Sequence, residues 1–165
     1  MSEIIIKNNM SQLKRNLLHK LHELSTSIPL VITDSGSEIT ANSKEFIVRA
    51  VFSEDIVSYS ISTSNLINRF RPGIQFVNDY SPFSSEKDWL INNELQQQFM
   101  RVIDSLSNGK VYVGGRGSHA YIAWCEDNSI ILKSYSKSYF WSIKTVESKI
   151  SKAELRRLEL SPLRG

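Results

Sequence analysis

Six apolar residues near the start of the chain recur at spacings of three and four, which is the period of one face of an α-helix. They are Met10, Leu13, Leu17, Leu18, Leu21 and Leu24. The spacing predicts a helix from about residue 9 to Leu24, and Pro29 prevents the helix from resuming. Two interpretations stay open. The stripe packs on its own domain, or it pairs with the same helix of a second subunit, because positions 10, 13, 17, 21 and 24 approximate a heptad seam.

From residue 28 the pattern changes to short β-branched runs separated by turn residues. The predicted strands or extended segments cover residues 28–33, 38–41, 46–51 and 55–61. A turn at 34–37 separates the first two of them. Residues 62–80 show no clear periodicity, and Arg71-Pro72-Gly73 indicates a turn within them.

A second amphipathic helix is the most regular element of the sequence. Ser85 followed by Asp88 is typical of a helix start, and Asn108-Gly109 is typical of a helix end. The apolar positions between them predict the buried face, which consists of Ile91, Leu95, Phe99, Val102 and Leu106.

The last third of the chain predicts an antiparallel meander and a short closing helix. The strands are expected at residues 110–113, 120–126, 129–135 and 139–146, with tight turns at Asp127-Asn128 and at Ser136-Lys137-Ser138. Ser151 and Glu154 form a second capping pattern, which predicts a helix that ends before Pro162.

The order of elements predicts an α+β fold, in which an antiparallel sheet carries N-terminal, central and C-terminal helices. We expect three regions: an N-terminal helix at 1–25, an α+β domain at 26–147, and a basic C-terminal helix or tail at 148–165.

Composition narrows the class of protein. The 165 residues are 41% hydrophobic, which is too apolar for a disordered chain, and no apolar run is long enough to span a membrane. The first residues do not form a signal peptide. The single cysteine, Cys125, excludes an internal disulfide and a cysteine-built zinc site. We therefore expect a cytoplasmic protein without membrane contact.

Charge is unevenly distributed along the chain. Residues 133–165 carry eight basic and three acidic residues, so this segment accounts for more than the whole formal charge of +3. A basic tail attracts phosphate or an acidic partner. Nucleic acid is therefore an expected partner of the tail, and an ordinary solvated surface is the alternative.

The sequence contains no evident catalytic constellation. His19 and His22 are three apart on the first helix but have no third metal ligand, and we expect neither a metal nor a cofactor. His119 and Cys125 are six residues apart, about 20 Å along an extended strand, which is too far for a nucleophile and its base. Buried structural cysteine is the better interpretation of Cys125.

Two features indicate a binding site. Residues 114–119 combine three glycines with Arg116 and His119, which suits either an anion contact or a wide hairpin connection. Aromatic residues are concentrated in the following strands, where they line a pocket or fill the core. The candidate ligand-binding residues are Arg116, His119, Tyr121, Trp124 and Trp141.

Residues 27–46 resemble the opening of a PAS domain, in which a strand, an Asp-x-Gly turn and a second strand lead to Ala-Asn and an aromatic residue on a short helix. The matching positions are Asp34, Gly36, Ala41, Asn42 and Phe46. The resemblance implies a non-enzymatic sensory or regulatory module, related to transcription regulators, which dimerises through its leading helix and binds a protein partner or a signal.

Two other classes remain open. The order of helix, three strands, helix, three strands and closing helix resembles the small chaperones of type III secretion, which bind an extended partner peptide. Those chaperones are usually acidic, whereas this chain has a pI near 9.0. The third class is a small enzyme or toxin that uses Arg116 and His119, and it predicts that both converge in a cleft with an acidic residue.

Overall fold

The computed structural model describes residues 3–63, 72–79, 84–138 and 142–164. The three helices are α1 (Glu3–Ser25), α2 (Glu86–Ser107) and α3 (Lys152–Arg157). The strands are β1 (Val31–Asp34), β2 (Glu38–Asn42), β3 (Phe46–Phe52), β4 (Val57–Thr63), β5 (Gly73–Asn78), β6 (Val111–Arg116), β7 (His119–Glu126), β8 (Ser129–Ser138), β9 (Ser142–Ile150) and β10 (Ser161–Pro162).

Helix α1 begins six residues earlier than the periodicity predicts and ends one residue later. The four leucines of its stripe, Leu13, Leu17, Leu21 and Leu24, are buried in the core of the same chain. The own-domain interpretation of the stripe is therefore confirmed. Because these leucines are occupied, the heptad seam is not available for a coiled coil with a second subunit.

Strands β1 to β5 form the first sheet, and their order in the sheet is their order in the chain, with every neighbour antiparallel. Along β3 and β4 every second residue is buried, so one face of the sheet lies on the core and the other faces solvent.

Strand β5 was not predicted. Its buried residues are Ile74 and Asn78, and a polar residue at an inward position conceals the period-two pattern. The predicted turn at Arg71-Pro72-Gly73 is wrong at Gly73, which begins β5, and Arg71 lies outside the described residues.

Helix α2 has the predicted start, because the Ser85 hydroxyl accepts a hydrogen bond from the Asp88 backbone N–H at 3.2 Å. The predicted buried face is partly wrong. Ile91 is exposed, and Asn92 and Gln96 are buried in its place. Burial of Gln96 is possible because its amide donates hydrogen bonds to the Leu13 carbonyl oxygen and the Tyr59 hydroxyl.

The second sheet has the order β10-β6-β7-β8-β9, again with antiparallel neighbours. The turn at Asp127-Asn128 is confirmed, and Asp127 has the positive φ of 54° that a tight turn uses. The turn predicted at Ser136-Lys137-Ser138 is wrong, because these residues continue β8 and pair with β9. The connection falls at residues 139–141, outside the described residues.

The two faces of the second sheet are covered differently. Val111, Ile122 and Trp124 belong to the main core, which also contains the buried residues of α1, α2 and the first sheet. On the opposite face, Leu155 of α3 and the C-cap residue Leu158 pack on a smaller cluster around Ala123 and Leu132. Ser151 and Glu154 form the predicted capping box of α3.

The fold class is confirmed as α+β with three helices and antiparallel sheets, and the strands divide into two sheets where a single one was expected. In the described part of the chain, every helix is too short or too polar to cross a membrane.

Candidate functional site: an exposed basic face of the second sheet

The register of the second sheet places two rows of residues side by side on one face. One row runs across the strands through Arg116, His119, Ser136 and Lys144. The neighbouring row runs through Gly114, Tyr121, Ser134 and Val146. We call these eight residues the basic face. They share a face because side chains alternate along each strand and antiparallel partners lie directly opposite one another.

The hairpin between β6 and β7 sets this register. Gly117 and Ser118 form a two-residue connection, and Gly117 has a φ of +63°, which glycine adopts without steric cost. Arg116 is therefore paired directly with His119. The wide connection expected for residues 114–119 is wrong, since Gly114 and Gly115 are strand residues within β6.

An aromatic pair lies beside the basic residues. The rings of His119 and Tyr121 are nearly parallel, at an interplanar angle of 14° and a centroid distance of 6.4 Å. Tyr121 is half-buried and packs against the cluster under α3, whereas His119 is exposed. The Ser118 hydroxyl lies 3.4 Å from His119 Nδ1. The pair therefore presents aromatic surface to solvent from a fixed position on a strand.

The basic face carries positive charge without an opposing carboxylate. Arg116 and Lys144 are exposed, and neither of the two rows contains an acidic residue in the described part of the sheet. Helix α3 covers the other end of the same side of the sheet and adds Lys152, Arg156 and Arg157. Lys152, Arg156 and Arg157 thus add positive charge to this side, and Glu154 and Glu159 oppose part of it.

The charge of α3 is partly offset within the helix. Glu154 lies 3.9 Å from the Arg157 guanidinium and accepts a hydrogen bond from the Ser151 backbone N–H. These hydrogen bonds from Ser151 and the nearby Arg157 hold the pKa of Glu154 below its usual value. Glu154 therefore offsets charge on α3 only, and the two sheet rows keep the positive charges of Arg116 and Lys144.

Leu160 marks the boundary between α3 and the basic face. A side-chain carbon at Gly114 would lie 2.6 Å from Leu160 Cδ2, so the glycine provides the space in which Leu160 packs on the sheet. On the far side of Leu160, a cavity of about 560 Å³ separates α3 from the β7–β8 turn. Its lining includes Lys110, Tyr112 and Cys125.

The remaining predicted site residues lie elsewhere. Trp124 is buried on the opposite face of the sheet, where its indole N–H points to Glu126 at 3.5 Å. Trp141 lies outside the described residues. The structure therefore brings Arg116, His119 and Tyr121 together and separates Trp124 from them.

No cluster of three metal-ligating side chains occurs among the residues that the structure describes. His19 forms an ion-pair geometry with Glu23 at 3.1 Å on the surface of α1. Cys125 is half-buried, and its backbone carbonyl accepts a hydrogen bond from the Ser105 hydroxyl. The first contact lies within α1, and the second joins α2 to β7.

Sequence reasoning missed Ser134, Ser136, Lys144 and Val146. The misplaced turn at residues 136–138 hid them, because it ended β8 before Ser136 and shifted the start of β9. A signal exists for Ser134 and Ser136, although not for Lys144 and Val146 of β9. Counting residue pairs outward from the Asp127-Asn128 turn gives the partner of every β7 residue in β8.

Comparisons with protein-family models, with curated proteins and with solved structures found no match for this chain.

Proposed function

We propose that this protein is a non-enzymatic regulatory module that binds a protein partner and dimerises through the N-terminal end of α1. The observation that carries the proposal is a group of exposed apolar residues at the first turns of α1 and α2. These are Ile4, Ile5, Leu90 and Ile91, with exposed fractions of 72%, 47%, 60% and 37%. Exposed apolar residues that cluster on a surface are typical of partner contacts.

The packing of the two helices supports the clustering. Helices α1 and α2 run side by side in the same direction, since Asn16 contacts Gln96 and Lys20 contacts Asp104. Their first turns meet around a shallow depression lined by Ile5, Asn9, Glu86 and Trp89. Ile5 thus lines this depression, and Ile4, Leu90 and Ile91 lie on the neighbouring turns of the same two helices.

Helical geometry also supports a common direction for this patch. Ile4 is nine residues from the buried Leu13, and Leu90 is nine residues from the buried Phe99. Nine residues correspond to about half a turn beyond two full turns, so both side chains point away from the core. A second copy that presents the same patch would bury all four residues on both sides of a two-fold axis.

The regulatory part of the proposal rests on the PAS resemblance of residues 27–46. In support, the Gly36 backbone N–H donates a hydrogen bond to the Asp34 carboxylate at 2.8 Å, and Ala41 and Phe46 are buried. One feature differs from the resemblance, since Phe46 begins strand β3 where a short helix was expected.

A secretion-chaperone-like or adaptor function is the second candidate. The alternation of helix, sheet, helix, sheet and helix supports it, because each sheet follows a helix as in those chaperones. A groove of about 540 Å³ between α1 and the end of β3 also supports it, with Ile6, Met10 and Phe52 in its lining. An extended apolar peptide would fit such a groove.

An enzyme is the third candidate, and the basic face offers it no acidic partner for Arg116 and His119 in the described rows.

Sedimentation velocity of the whole chain tests the dimer. The wild type should sediment as a dimer at micromolar concentration, and the double variant Ile4→Lys/Leu90→Lys should sediment as a monomer, because four lysines would meet across the interface. The matched control is Ser11→Lys/Gln97→Lys, which adds the same charge on the exposed side farther along the helices. A monomeric wild type, or equal dissociation of both double variants, would overturn the proposal.

A further inference from the structure

We infer that the basic face binds a short segment of single-stranded nucleic acid, independently of dimerisation. The inference starts from the dimensions of the sheet. Arg116 and Lys144 lie at opposite ends of one row that crosses four strands. Three inter-strand spacings separate them by about 14 Å, which is enough for a few nucleotides to lie across the strands.

The order of chemical groups along this surface matches the order in a nucleic-acid strand. Cations at Arg116 and Lys144 occupy the two ends, where phosphates would lie. The rings of His119 and Tyr121 lie between them and provide flat surfaces for bases. The Ser136 hydroxyl supplies a hydrogen-bonding group in the same row as the cations, whereas the Ser134 hydroxyl donates to the Val146 backbone carbonyl at 3.4 Å.

The positive charges of the basic face favour an anionic ligand. The aromatic pair distinguishes anions that carry flat rings from those that do not. Neither described row contains a carboxylate that would repel phosphate. An acidic peptide would use the cations but would have no use for the parallel rings of His119 and the half-buried Tyr121. A nucleobase stacks on such rings, and stacking is independent of base identity. Single-stranded nucleic acid would therefore contact both the cations, through its phosphates, and the aromatic pair, through its bases.

This interface differs from the one expected for the basic tail. The segment 133–165 divides between a strand that contributes Lys144 to the sheet and a helix whose Arg157 lies near Glu154. The sheet row supplies a fixed geometry, whereas α3 adds long-range attraction from the same side.

Fluorescence anisotropy with a labelled, mixed-sequence 12-nucleotide single-stranded DNA tests the inference on the whole chain. The variant Arg116→Gln/Lys144→Gln should weaken binding at least tenfold. It should also reduce the slope of log affinity against log salt by about 1.4, the contribution of two phosphate contacts on a single strand. The control Lys137→Gln/Lys149→Gln removes the same charge from the opposite face of the same sheet.

A second variant tests the role of stacking. His119→Ala leaves both cations in place and should weaken binding by about fivefold to a hundredfold, the effect of one stacked base. His119 is exposed, so folding does not depend on its burial. Circular dichroism checks that each variant keeps its secondary structure.

Three results would overturn the inference: no binding of the labelled strand, an equal loss in the control pair, or displacement of the strand by polyglutamate at equal charge concentration. The last result would assign the face to an acidic protein partner. Because the variants lie on the second sheet, away from the first turns of α1 and α2, the sedimentation test of the dimer stands apart from these outcomes.

Discussion

Gln96 is a buried polar residue that connects both long helices to the first sheet. Its amide donates to the Leu13 carbonyl at 2.7 Å and to the Tyr59 hydroxyl at 3.2 Å, and it accepts from Asn16 at 3.3 Å. Gln96→Ala should lower the free energy of unfolding by about 1–3 kcal/mol, because buried groups would lose their partners. Urea unfolding measures the change. The neighbouring Gln97→Ala is exposed and should change it by less than about 0.5 kcal/mol, and equal effects would refute the role of the network.

The Tyr135 hydroxyl should make the free energy of unfolding depend on pH in the alkaline range. Its hydroxyl accepts a hydrogen bond from the Gly73 backbone N–H at 3.1 Å, and burial raises its pKa to about 12. The unfolded tyrosine ionises near pH 10, so the unfolding free energy contributed by this group is complete below pH 10 and is lost as the pH rises towards 12. At pH 9, Tyr135→Phe should be less stable than the wild type by about 1 kcal/mol, the value of one hydrogen bond.

The stability advantage of the wild type over Tyr135→Phe should shrink above pH 9.5 and reverse before pH 11.5, because only the wild type loses this contribution, at up to about 1.4 kcal/mol per pH unit. Tyr59, whose pKa burial also raises, is present in both and affects them equally. Urea unfolding across this range provides the measurement, with Tyr112→Phe as a control for loss of a hydroxyl from the same sheet. A wild-type advantage that stays constant or grows across this range would contradict the prediction.

At the scale of the element, α2 depends on its first turn. Ser85 is its N-cap, and the backbone N–H of Asp88 donates to the Ser85 hydroxyl. Ser85→Ala should destabilise the protein by about 1 kcal/mol, a typical effect for loss of an N-cap. Thermal unfolding compares it with Ser107→Ala, an exposed position in the last turn of the same helix. Equal melting temperatures for the two variants would contradict the assigned cap.

The same helix shows how far local sequence determines structure. Its ends were predictable because capping and termination depend on adjacent residues such as Ser85 and Gly109. Its buried face was predictable only in part. Asn92 and Gln96 are inward because Asn78, Leu13 and Tyr59 satisfy their amides, and those partners come from other elements. A hydrophobic period contains no information on hydrogen-bond partners that are distant in sequence.

At the scale of the whole molecule, the candidate site was partly predictable. Arg116, His119 and Tyr121 stand out locally, but their association with Lys144 depends on the pairing of β8 with β9. The sequence conceals that pairing, because its turn pattern falls at residues 136–138, which belong to β8. The division of the ten described strands into two sheets was likewise not predictable from local pattern, and α2 packs against both sheets.

At the level of the assembly, the main proposal is that two copies of the protein dimerise through the exposed apolar residues at the start of α1 and α2. Spin labels test it directly, since the chain has one native cysteine. In a Cys125→Ser background, a label at Asn8→Cys reports from beside the patch, and a label at His22→Cys reports from about 21 Å farther along the exposed side of α1.

Pulsed electron paramagnetic resonance then measures the distance between the two spin labels of a dimer. The proposal predicts a defined inter-label distance at both positions, shorter at Asn8 than at His22, because the first turns of the helices meet at the two-fold axis. Absence of dipolar coupling at both positions, or a shorter distance at His22, would contradict dimerisation through this end of the protein.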